Sequence, residues 1–132
     1  MTTAKKAAFV LLVAVFTLAV LVRHFGATEQ LAGGPLAAVL VEDTSHPSPI
    51  AAATRAAPEV AAICAERHIA WHAVDAAESG PDVAEVQWAL EAAKKQTLPV
   101  LALRAGAGVP RVVSLPATAA ATVAILRAAS GG

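Results

Sequence analysis

Cys64 is the only cysteine in the chain, so no intramolecular disulfide can form and dithiol chemistry is excluded at the outset. It precedes His68 by four positions, with His72 just beyond. On a helix that spacing would suggest a Cys/His metal site or an activated thiol. But Cys64 also shares a stripe with Val60 and Ile63, which reads as core, and His72 falls in the following strand. No zinc-type spacing accompanies them. Glu42 and Asp43 are adjacent carboxylates at a strand end. An acid/base pair needs a defined separation and a cleft, so solvated strand-end charges are the expected reading. The segment Thr44–Pro49 (TSHPSP) offers hydroxyls and His46 near a helix N-terminus, where anions are favoured. A simpler account has Ser48 capping that helix and Pro49 filling its first turn. No Ser/His/Asp arrangement or phosphate loop is visible, and Gly106-Ala107-Gly108 opens a hairpin rather than a nucleotide site. No catalytic, metal-binding or cofactor-binding residue is assigned.

Two further residues invite attention. Pro99 follows Leu98 at the start of an apolar run, and an X-Pro bond can be cis at modest cost. Trp88 falls in a helical stretch whose Val83, Val86, Leu90 and Ala93 share one side at about 100° per residue. That places Trp88 nearly opposite, among Glu85, Glu91 and Lys95, as an exposed contact anchor or as the lining of a second buried edge. Trp71 is expected in the core of a central strand.

The elements that must position these residues can be read in order. Residues 36–41 (LAAVLV) form an apolar strand, as expected when both faces are covered. A polar loop follows, then a helical stretch over 50–68 interrupted by Pro58. Residues 69–74 (IAWHAV) make a second strand. The turn 79–82 leads into a helix over 82–96. Strands at 100–104 and 111–115 flank a tight glycine turn, and 117–129 is a final helix. The first strands are joined through helices and can run parallel, whereas the last two form a hairpin and must be antiparallel. The fold class is therefore α/β, in the order β-α-β-α-β-β-α, a mixed sheet with flanking helices.

Over residues 36–130 this pattern resembles the thioredoxin family. The most specific piece is Thr97-Leu98-Pro99-Val100-Leu101-Ala102-Leu103, which looks like the family's cis-proline segment opening the third core strand. Val74-Asp75 and the closing hairpin and helix also fit. The departure is in the loop after the first strand. Where the family carries Cys-x-x-Cys, this chain has Thr44-Ser45-His46-Pro47-Ser48-Pro49. Thiol–disulfide exchange needs a thiolate, so no dithiol oxidoreductase activity is expected. The resemblance implies that Leu98–Pro99 lies beside the 44–49 loop. It also implies that an extended peptide pairs with the backbone before the proline, by strand addition. The implied peptide-binding set is Thr97, Leu98, Pro99, Thr44, Ser45 and His46, with Trp88 as a separate partner contact.

The chain balances ten basic and ten acidic residues. Removing Lys5, Lys6 and Arg23 from one side and Glu29 from the other leaves seven against nine for residues 35–132. A net charge of −2 argues against nucleic acid, which rewards a clustered basic face. Residues 7–22 carry no charge, between Lys6 and Arg23. As a helix this run spans about 24 Å, slightly short of a hydrocarbon core of about 30 Å, and its basic flanks can snorkel. A cleaved signal peptide is the competing reading. The charge directly after the run and the lack of a small-x-small site favour an uncleaved anchor. Lys5, Lys6 and the amino terminus then keep the N-terminus cytoplasmic and the domain extracytoplasmic; cleavage would make it secreted or periplasmic. The expected organisation is a single transmembrane anchor at 1–24, a linker at 25–34 and a thioredoxin-like domain at 35–132. The function expected is a redox-inactive, protein-binding or scaffold domain held at the membrane through residues 7–22, with an extended peptide or membrane protein as partner. The alternative is a thiol-independent enzyme or small-thiol-binding domain using the 44–49 loop and Pro99.

Overall fold

The computed structural model describes residues 30–131. The expected anchor and the first half of the expected linker, residues 25–29, lie outside the described residues. Among the described residues no helix is long and apolar enough to cross a membrane.

Strand β1 (Leu36–Glu42) leads through a loop into α1 (Pro49–Ala56) and α2 (Pro58–Glu66). Ser48 caps α1, its Oγ accepting from the Ala51 amide at 3.2 Å, and Pro49 takes the first helical position. The break between α1 and α2 is set by Pro58, which drives the preceding residue out of the helical region. Ala57 accordingly sits at φ −71°, ψ 119°. α2 ends in a Schellman turn, with the Ile69 amide donating to the Cys64 carbonyl at 2.8 Å and the His68 amide to that of Ala65 at 3.4 Å. That turn needs a left-handed residue after the cap, and His68 supplies it at φ 54°. His68 therefore lies beyond the helix, exposed, and does not share a helical face with Cys64 as the spacing suggested.

β2 (Ala70–Asp75) pairs parallel to β1, while β3 (Val100–Ala105) pairs antiparallel to β1 and β4 (Arg111–Ser114) antiparallel to β3. The resulting four-stranded mixed sheet has the order β2-β1-β3-β4. β2 is thus an edge strand, not a central one. Trp71 is correspondingly half-buried rather than fully enclosed.

Alternation along the two central strands divides the core. Ala38, Leu40, Leu101 and Leu103 face a layer built from α1, α2 and the last helix, α4 (Ala119–Ala129), with Val60, Ile63, Cys64 and Leu126. Val39, Val41, Val100 and Ala102 face Val83, Val86, Ala89, Leu90 and Ala93. This second layer is not one helix over 82–96. Residues Pro81–Val86 form a 3-10 helix, and only Gln87–Ala93 continue as α-helix, α3. Val83 and Val86 are three apart and both buried, the repeat of a three-residue turn.

Candidate functional site

The carboxyl end of β1 and the chain before β3 meet at one pole of the sheet. There Glu42, Asp43, His46, Ser48, Leu98 and Pro99 enclose a cleft of about 300 Å³. The Leu98–Pro99 bond is cis. The Pro99 carbonyl accepts from the Leu115 amide at 3.2 Å, so the residue after β4 already occupies it. Among the described residues, the backbone amides and carbonyls of Thr97 and Leu98 have no intramolecular partner.

The opposing wall is a loop tied down at several points. Asp75, at the end of β2, accepts from the Thr44 amide at 3.0 Å, from the Thr44 hydroxyl, and from the Ala77 amide at 2.7 Å. These bonds hold its carboxyl below the ordinary value, the Thr44 hydroxyl contributing most. Asp43 accepts from the Ser45 amide at 3.0 Å and the Ser45 hydroxyl at 2.5 Å, and bonds His46 Nδ1 at 2.9 Å. Its carboxyl is lowered in turn, first by the Ser45 hydroxyl and then by His46. A serine, a histidine and an aspartate are therefore in contact, although the sequence showed no such arrangement. The geometry does not activate the serine. Ser45 Oγ lies 3.0 Å from His46 Nδ1, the nitrogen that also faces Asp43. A hydrolytic triad needs serine and carboxylate on opposite ring nitrogens.

Glu42 departs from the expected solvated charge. It is buried, and its Oε1 meets Arg55 Nε at 3.0 Å across the start of the cleft. The pair joins the end of β1 to the last turn of α1. No pattern in the sequence singles it out, because the partners belong to elements whose relative placement is set by packing. Ser48, expected only as a cap, also lines the cleft.

Of the residues carried by the resemblance, His46, Leu98 and Pro99 line the cleft. Thr44 and Ser45 are turned into hydrogen bonds with Asp75 and Asp43. Thr97 is exposed at its margin, next to Leu98. Trp88 belongs to a different surface, a groove of about 660 Å³ lined by Trp88, Glu91, Ala92, Gln96, Pro110 and Val112. Its partly buried side chain packs against the second core layer. The Arg104 guanidinium stands 4.7 Å from the ring centroid, within cation–π range. Cys64 is outside the cleft, in the core of α2, and burial pushes its thiol pKa up. Among the described residues no cluster of three or more His, Cys, Asp or Glu could hold a metal ion. No family model matches the chain, and no curated protein or solved structure matches it either.

Proposed function

We propose that the chain is a membrane-tethered, redox-inactive thioredoxin-like module that captures an extended peptide on the extracytoplasmic side. The observation that carries this reading is the unpaired backbone of Thr97–Leu98 at the lip of a cleft. Strand addition supplies affinity through such main-chain groups and specificity through neighbouring pockets. The element order, the sheet order β2-β1-β3-β4 and the cis Leu98–Pro99 bond beside the loop after β1 support the family resemblance. The pinned 43–48 loop supports a preformed wall, which lowers the ordering cost of binding. Asp43 on that wall favours a neutral or basic peptide over an anionic small thiol.

The test is site-specific photo-crosslinking in membranes of the source cell, with benzoylphenylalanine at Thr97 or, as a control, at the exposed Ala124 of α4. A discrete protein adduct from position 97 that is absent from position 124 is expected. No adduct at 97 from inserted protein, or the same adduct from both positions, would refute peptide capture at this edge.

A further inference from the structure

The two poles of the sheet differ in charge and in what the chain attaches to them. The described residues begin at the pole opposite the cleft. There the Leu31 amide donates to the Ala129 carbonyl at 3.1 Å, and the Gly106 amide to that of Pro35 at 2.9 Å. Gly106 packs so closely on the incoming chain that an added Cβ would meet the Gly33 carbonyl oxygen at 2.3 Å. The β3–β4 hairpin tip is therefore held beside the point where the tether joins the domain. Six residues separate Arg23 from Gln30, and six residues of any conformation span at most about 22 Å.

Four of the domain's arginines gather at this pole. Arg67 lines a hollow with Gln30, Leu31, Gly34 and Pro35. Arg104 and Arg111 stand at the two ends of the hairpin, and Arg127 lies in the last turn of α4. His68 is beside Arg67, and Glu66 lies 4.0 Å from Arg67. The far pole carries Glu42, Asp43, Asp75 and Glu78, with Arg55 paired to Glu42 and His46 to Asp43. Val109 projects from the hairpin tip with 89% of its surface exposed, the most exposed large apolar side chain among the described residues. A single exposed valine means little by itself. Here it shares a pole with the basic cluster and the tether junction.

We infer that the Gly106–Pro110 hairpin tip, flanked by Arg67, Arg111 and Arg127, docks on the surface of the anionic bilayer in which the chain is anchored, presenting the Leu98–Pro99 cleft away from the membrane. This rests on the tethered reading above. Anionic headgroups attract basic groups within a screening length of about 10 Å of the surface, and a connection of at most about 22 Å lets this pole reach that range. Val109 then enters the headgroup boundary as an apolar tip between charges.

The full chain is reconstituted into vesicles of phosphatidylcholine with a quarter phosphatidylglycerol, or of phosphatidylcholine alone. A fluorophore is attached at Ala107→Cys on the tip or at Ala77→Cys at the far pole, the buried Cys64 remaining unlabelled. Brominated lipids are expected to quench most of the emission at 107 and little at 77. High salt, omission of phosphatidylglycerol, Val109→Glu or Arg127→Glu should each remove most of that quenching. An unquenched 107 label on inserted protein, equal quenching at both sites, or quenching indifferent to lipid charge and salt would overturn the docking. So would crosslinking of position 107 to a protein rather than to lipid. Carbonate extraction separates the two readings. A chain that extracts yet still floats with anionic vesicles, quenched at 107, keeps the docking pole and loses the anchor. A chain that extracts and does not float with anionic vesicles loses both.

Discussion

Asp75 and Asp43 do at residue scale what the loop's own sequence cannot do alone. TSHPSP has few ways to bury surface, and its order comes from carboxylates that accept its amides and hydroxyls. Both carboxyls are held below the ordinary value of 3.8. A lowered folded-state pKa contributes stability that is present above the unfolded value and is lost as pH falls through the folded one. Protection of the Thr44 and Ser45 amides from hydrogen exchange should therefore persist down to about pH 3.8 and collapse only below it. In Asp75→Asn the acid-induced loss at Thr44 should disappear while that at Ser45 remains. An exchange profile of both amides across acid pH decides this; collapse well above the carboxylate range would show that these bonds do not hold the loop.

At the scale of elements, the Glu42–Arg55 pair links β1 to α1 beside the cleft. Arg55→Ala leaves a buried carboxylate without its counter-charge. Because Arg55 is nearly half exposed, the expected cost is moderate, about 1–2 kcal/mol, read as a lowered urea midpoint with unchanged m. No change in the midpoint would mean that water already serves Glu42. The elements themselves were largely legible, because strand runs, Pro58, the glycine turn and the Ser48 cap are local signals. What was not legible depended on neighbours. β2 has enough apolar residues to pass for a central strand, yet lies at an edge, where Ala70 and Ala73 are exposed. The 82–96 stretch has helical spacing throughout, but its first five residues belong to a 3-10 helix, Pro81–Val86, whose tighter repeat suits Val83 and Val86. At the site, the Leu98–Pro99 segment stood out from its neighbours, whereas the Thr44–Asp75 contact spans 31 positions and leaves no local trace. The Cys64–His68 spacing misled because a histidine took the left-handed position that glycine usually fills.

For the whole molecule, the chain enters at one pole and opens its cleft at the other. Gly106 locks the entry. Its φ of 54° and the nearby Gly33 carbonyl leave no room for a side chain. Gly106→Ala should cost at least about 1–2 kcal/mol from the left-handed backbone alone, with the clash in addition. Thermal unfolding should fall by roughly 4–8 °C for each kcal/mol lost. An unshifted transition would mean that the incoming chain does not pack on the hairpin. The sheet between the poles has another consequence. The chain has two tryptophans and no tyrosine, and they sit in different layers, Trp71 packed on one core cluster and Trp88 on the other under Arg104. Ultraviolet emission thus comes from one native reporter per layer. Replacing either with phenylalanine leaves a chain whose fluorescence follows the loosening of a single face.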